Sequence, residues 1–207
     1  MDHINILTLN QILRNPTLAT EDINLDDNVD SERIIFRPLQ HDDILALQQF
    51  FESLSETTRR FATYPSYDLE CAQQFCDEIN RGDKLRMVAV SNNKKIIAIF
   101  EFNFDLVEFD IKRYRKYGVE LSNENDVQFA PCVMDTYQNR RLGTKLLQSI
   151  ITLARRLNKK RIILWAGVLI DNEQAIRFYE KNNFHIFRSK YIAEDGYECY
   201  DGILYLM

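Results

Sequence analysis

Arg140, Arg141 and Lys145 place three positive charges within six residues of a 207-residue chain. The chain as a whole has 26 Lys plus Arg against 31 Asp plus Glu and a formal charge of −5. The local sign is therefore opposite to the global one. The two arginines sit in Asp135-Thr136-Tyr137-Gln138-Asn139-Arg140-Arg141-Leu142-Gly143-Thr144, which Lys145 follows. Before it, Val127 to Val133 reads as a strand; after it, Leu146, Ile150, Leu153 and Leu157 fall on one helical face. A strand, a basic loop with glycine and a helix together can hold a pyrophosphate, because free backbone N–H groups and the positive helix end converge there. Metal chemistry is not expected: Cys71, Cys76, Cys132 and Cys199 contain no C-x-x-C pair, and His3, His41 and His185 are scattered. Cys132 could be taken for a ping-pong nucleophile. No histidine is near it in sequence, approach by His185 in space is left open, and it reads as a buried strand cysteine.

The elements that must position this loop follow from periodicity. With 45% hydrophobic, 12% aromatic and 28% charged residues, and only six Gly and four Pro, the composition is that of a soluble mixed α/β chain and disfavours all-β. Residues 1–32 read as an acidic N-terminal extension before one domain over 33–207. Ile4 to Leu13 makes a short helix, and 21–32, with six carboxylates, makes a linker. Ile34 to Phe36 is a strand ended by Pro38. Ile44, Leu47, Phe51 and Leu54 mark one helix. Leu69, Ala72, Cys76 and Ile79 mark a second, capped by Asp68 and closed by Arg81-Gly82. Leu85 to Val90 and Ile96 to Phe104 flank the polar turn Ser91 to Lys94 and read as an antiparallel pair. Arg161 to Ala166 reads as a strand and Asn172 to Lys181 as a helix; Phe184 to Ser189 and Cys199 to Leu206 close the chain as strands around Glu194-Asp195-Gly196.

Between residues 106 and 125, Lys112, Arg113, Arg115 and Lys116 interleave with Tyr114 and Tyr117, a pattern that could stack on a nucleic acid. Glu108, Asp110, Glu120 and Glu124 nearly neutralise it, so a solvated insertion is expected and no nucleic-acid partner. The longest apolar run, Ile162 to Ile170, is nine residues, too short to span a membrane. Reduced thiols fit a cytoplasmic protein.

From Arg33 to Met207 the sequence resembles the GNAT superfamily of acyl-CoA-dependent N-acetyltransferases. The resemblance rests on Gln138-Asn139-Arg140-Arg141-Leu142-Gly143, preceded by Tyr137, and on Asn172 followed by Phe178-Tyr179 and by Asn183-Phe184. There are two departures: Arg141 stands where the first loop glycine would be, and Asn183 replaces the glycine before Phe184. Arginine restricts backbone approach to a phosphate, although its guanidinium could bind the anion bidentately; asparagine tolerates left-handed geometry.

The resemblance implies a mixed, mostly antiparallel central sheet flanked by helices, in which the strand of Val133 splays from that of Trp165. It implies acetyl-CoA as co-substrate, with no metal. Main chain of Val133 and Asp135 would hold the pantetheine arm, the amides of Gln138, Asn139, Arg140, Arg141, Leu142, Gly143 and Thr144 the pyrophosphate, and Asn172 the arm from its other side, with Phe178 in the same set. Tyr179 looks like the general acid that protonates the departing thiolate. For the general base Val127 occupies the expected place and is not a carboxylate. Glu101 ranks first, with Asp126 on the opposite strand face and Gln128 able only to orient water. The segment Phe50 to Phe61 is similar to GNAT modules that acetylate protein lysines, so the amine acceptor is a protein or peptide amine ahead of a small molecule. A binding module that senses acyl-CoA without turnover is the competing expectation.

Overall fold

The computed structural model describes residues 5–26, 31–193 and 196–206. In chain order these form α1 (Leu9–Arg14), β1 (Glu21–Asp26), β2 (Ser31–Pro38), α2 (Ile44–Ser53), α3 (Glu56–Ala62), α4 (Leu69–Asp77), β3 (Lys84–Val90) and β4 (Ile96–Asn103). Then come α5 (Glu108–Arg115), β5 (Asp126–Val133), α6 (Leu142–Arg156), β6 (Arg161–Leu164), β7 (Val168–Leu169), α7 (Glu173–Lys181), β8 (His185–Ile192) and β9 (Glu198–Tyr205). The chain divides into two compact units. Among the described residues, the N-terminal unit lies within 7–101 and 131–153, and the C-terminal unit within 102–130 and 154–206, together with residues 5 and 6.

In the N-terminal unit β1, β2, β3 and β4 are hydrogen-bonded neighbours in that order, with β1–β2 and β2–β3 antiparallel. All eight residues of β4 are buried, as a strand covered on both faces requires. The turn to it is the polar one expected, closed by Lys94 N–H on the Ser91 carbonyl and Ser91 N–H on that of Lys95. The apolar stripes of α2 and α4 meet the sheet in one cluster: Leu47, Phe50 and Phe51 with Ala72, Phe75 and Cys76, against Val88, Ile99 and Cys132. Asp68 caps α4 through Cys71 N–H, and Gly82 ends the turn after it at φ +78°, a conformation glycine adopts without penalty.

The acidic stretch is not the linker expected. Residues 21–26 pair with 31–36 of β2, Ile23 opposite Ile34 and Leu25, fully buried, opposite Glu32. Its alternating Ile23 and Leu25 carry the strand, with the exposed Asp22 and Asn24 on the opposite alternation. Asp27 and Asp30 lie outside the described residues, as do Ile4 and the Glu194-Asp195 part of the last turn.

In the C-terminal unit β5 and β6 run parallel, β6 and β9 antiparallel, and both β7 and β8 pair antiparallel with β9. The expected solvated insertion is a correction of the same kind. One face of α5 is buried through Asp110, Arg113 and Tyr114, and Tyr117 stacks on Phe187 at 4.2 Å. Arg113 is enclosed with two carboxylates, Asp110 and Asp201, within one cluster, where burial is sustained by pairing. Among the described residues no helix is long and apolar enough to cross a membrane.

Candidate functional site

The basic loop belongs to the N-terminal unit. At the end of β5, Met134 N–H bonds the Ile97 carbonyl, after which Asp135–Tyr137 makes a single helical turn. Asp135 is bound from the start of α3: Ser55 N–H and hydroxyl reach its two oxygens at 2.9 and 2.6 Å, and the Thr58 hydroxyl at 2.7 Å. Burial raises its pKa, but these bonds outweigh it and hold the carboxyl below its ordinary value. Gln138 donates its amide to the Val133 carbonyl at 3.0 Å and to Thr58 at 3.2 Å.

Beyond Gln138 the backbone alternates. Asn139 and Arg141 are left-handed at φ 60° and 63°, while Arg140 between them is not. Successive N–H groups in such an alternation form an anion-binding concavity. Arg141 therefore adopts the backbone conformation that glycine favours, at a cost of about 1–2 kcal/mol for an L-residue. It is exposed, whereas Leu142, which starts α6, is fully buried and fixes the helix end. The first turn of this 15-residue helix carries no acidic residue, so nothing opposes its positive end. The three cations differ in placement. Arg140 lies over the Tyr137 ring at 4.8 Å, Lys145 donates to the Asn24 carbonyl of β1, and the Tyr137 hydroxyl bonds Glu32. Arg141 alone is both exposed and left-handed.

In the C-terminal unit the parallel ladder between β5 and β6 has four pairs and ends at Phe129 opposite Leu164, with Trp165 N–H on the Phe129 carbonyl. The second strand then turns through Ala166 and Gly167 at φ 56° and 73°, two residues earlier than expected. A Cβ on Gly167 would lie 2.5 Å from both the Tyr191 hydroxyl and the Tyr200 carbonyl, so only glycine fits this exit. Residues 130–133 of β5 continue without that partner strand.

Asn172 caps α7, its side-chain oxygen accepting from Ala175 N–H at 3.1 Å. Tyr179 is buried between Phe178 and Phe184, ring centroids 5.4 and 5.2 Å away. Asn183 ends the helix at φ 66°, the left-handed geometry that asparagine tolerates.

The base candidates are all buried. Glu101 bonds Arg86 Nε at 2.8 Å, and Arg86 also donates to Glu78 and to the Phe75 carbonyl while stacking on the Phe75 ring at 3.8 Å. Burial raises the Glu101 pKa despite Arg86. Asp126 holds Arg161 and Ser122 N–H; Gln128 joins Asn103 to Asp110. Cys132 is buried beside Tyr64, and burial pushes its thiol up to about 12, which leaves it protonated rather than nucleophilic at neutral pH. Sequence reasoning missed Ser55, Thr58 and Arg86. The first two carry a readable signal, since a serine three residues before a threonine at a helix start is a capping pattern; the Glu101 partner lies 15 residues away and gives no local sign.

The donor set at 139–144, a left-handed pair, a helix start without acidic residues and an exposed arginine, suits an anion. Among the described residues no cluster of His, Cys, Asp or Glu could hold a metal. The family described as "Acetyltransferase (GNAT) family" matches residues 47–184. No curated protein was found to match in sequence. Solved structures share the fold. The GNAT domain of S. lividans PAT has a TM-score of 0.70 at 20% identity, covering 92% of this chain and 99% of that one. Aminoglycoside acetyltransferase AAC(6')-Ib, in complex with coenzyme A and kanamycin, has 0.63 at 18%, covering 83% and 94%. Ribosomal-protein-S5-alanine acetyltransferase from Vibrio fischeri has 0.64 at 12%, covering 89% and 97%.

Proposed function

The chain belongs to the GNAT acetyltransferase family, and from that premise we propose that it transfers an acetyl group from acetyl-CoA to a primary amine by direct attack. The observation that carries the reading is the left-handed pair Asn139 and Arg141 before α6, a backbone alternation of the kind that forms an anion-binding concavity beside a helix start. Main chain of Val133 and Asp135 takes the pantetheine arm and residues 138–144 the pyrophosphate; the family resemblance assigns Asn172 and Phe178 to cofactor binding as well. The amine nitrogen forms a bond to the thioester carbon, the C–S bond breaks, and Tyr179 gives its phenolic proton to the departing thiolate. Glu101 takes the ammonium proton in this reading; its raised pKa brings it nearer neutrality, and Arg86 competes for the same carboxylate.

The acceptor is a protein or peptide amine, in keeping with the S. lividans PAT domain among the structures sharing the fold. A cytoplasmic setting accords with four buried cysteine thiols. A second reading, an acyl-CoA-binding module without turnover, is favoured by the Glu101–Arg86 pair and by Arg141 in the loop. Thiol release from acetyl-CoA with a panel of lysine peptides, polyamines and aminoglycosides separates the two. Transfer predicts amine-dependent release that falls at least tenfold in Tyr179→Phe. Binding with no release from any amine favours the module, and release unaltered in Tyr179→Phe removes that tyrosine from the acid role.

A further inference from the structure

α3 is a seven-residue helix with no buried residue, a length that is marginal in water, so its order depends on what its ends are tied to. One tie runs back to α2, where Arg59 donates to the Phe51 and Glu52 carbonyls, and a second runs forward to Tyr67, whose hydroxyl donates to the Arg59 carbonyl. A third runs to the loop after β5. Ser55 caps the helix by accepting from Thr58 N–H, and four hydrogen bonds join Ser55 and Thr58 to Asp135 and Gln138.

The Thr58 hydroxyl is the hub of this clasp. It has one proton, and at 2.7 Å from Asp135 Oδ1 that proton goes to the carboxylate, which can only accept. Its lone pairs are then free to accept from Gln138 Nε2 at 3.2 Å, and the same amide nitrogen reaches the Val133 carbonyl at 3.0 Å. A directed chain results: Gln138 donates to Thr58, Thr58 to Asp135, and Asp135 accepts from the first N–H of the α3 cap.

We infer that Thr58 is a positioning residue that couples occupancy of the Val133–Gln138 loop to the order of α3. The inference rests on the acetyl-CoA reading, because the loop atoms it uses, the Val133 carbonyl and Gln138, are those assigned there to the thioester. A ligand that orders this loop orders α3 with it, through bonds already present, and the two sites become linked without a change of fold. α3 is suited to report the coupling, since a short helix with no fully buried residue, in which Ala62 packs only partly against the core, opens locally at low free energy.

The test is amide hydrogen exchange over residues 56–62 with and without saturating CoA, in the wild type, Thr58→Val and Thr58→Ser, alongside the melting temperature with acetyl-CoA. The valine keeps the shape and removes the hydroxyl; the serine keeps the hydroxyl. CoA should slow exchange in α3 at least fivefold in the wild type and in Thr58→Ser, and less than twofold in Thr58→Val. Should Thr58→Val fold poorly, Asp135→Ala removes the carboxylate that accepts from Ser55 and Thr58, and should lose protection in the same way. Wild-type protection retained in Thr58→Val or Asp135→Ala overturns the inference, as does a wild type that acetyl-CoA stabilises while α3 exchange stays unaltered. Absence of any melting shift in the wild type overturns the acetyl-CoA reading itself, and the coupling with it.

Discussion

Each unit encloses one arginine with two carboxylates, and the two are built differently. In the N-terminal unit Arg86 spends all three nitrogens, on Glu101, Glu78 and the Phe75 carbonyl, and Glu78 reaches solvent. In the C-terminal unit Arg113 lies 3.8 Å over Tyr191 and 4.6 Å over Phe109, bonded to Asp110 and Asp201, which are 1% and 0% exposed. Its Nη1 has no hydrogen-bond partner. One cluster thus has an outlet to water and a saturated guanidinium, while the other is closed. A closed cluster fixes tertiary structure because no member can be solvated if another is lost. An open one leaves a carboxylate, Glu101, whose proton can move.

Arg113→Ala should therefore give the largest effect. It strands two buried carboxylates and should destabilise the protein by about 3–5 kcal/mol, read by denaturant unfolding. Arg86→Met should cost roughly half of that range, because Glu78 can turn to solvent and Glu101 can take up a proton. Equal losses would remove the distinction between the clusters.

A pH series sharpens it. Burial holds Glu101 above its ordinary 4.5, so the folded state keeps a proton that the unfolded state has lost. Wild-type stability relative to Glu101→Gln should fall as pH rises from 4.5 through the raised value, then level off. Asp135 has the opposite sign: its lowered pKa gives a contribution present above 3.8 and lost as pH falls through the folded value. Urea melts of wild type and Glu101→Gln between pH 4 and 8 read the first slope, and a difference independent of pH would contradict it.

The smallest effects belong to the two left-handed departures from glycine. Arg141→Gly relieves a strained backbone, offset by greater freedom when unfolded, and should stabilise by about 1 kcal/mol or less. Asn183→Gly should gain less, since asparagine already tolerates φ 66°. If the Arg141 guanidinium helps hold the pyrophosphate, Arg141→Gly also weakens CoA binding severalfold by calorimetry while raising Tm.

Local patterns carried much of this into the sequence. The apolar stripes of α2, α4 and α6, the Asp68 cap and the turn at Ser91 to Lys94 were legible because each is decided within a few residues. β1 was obscured by its carboxylates, which outnumber the alternating Ile23 and Leu25 that pair it to β2. The interior of α5 was misread for a different reason: Arg113 and Asp201 are 88 positions apart, and only the folded chain shows that the charges neutralise one another inside rather than in water. The same separation hid Asp135 from Ser55, 80 positions away. At the loop itself the residue types were readable, but Arg141 at a left-handed φ was not, since arginine rarely stands there.

The central claim is that main chain at the start of α6 grips the pyrophosphate of a CoA thioester, and a crystal structure of the wild type grown with saturating CoA tests it most directly. The account predicts phosphate oxygens within hydrogen-bonding distance of main-chain nitrogens between residues 139 and 144, with the pantetheine arm on the Val133 main chain. CoA bound elsewhere, or an empty 139–144 loop in crystals soaked to saturation, would contradict it.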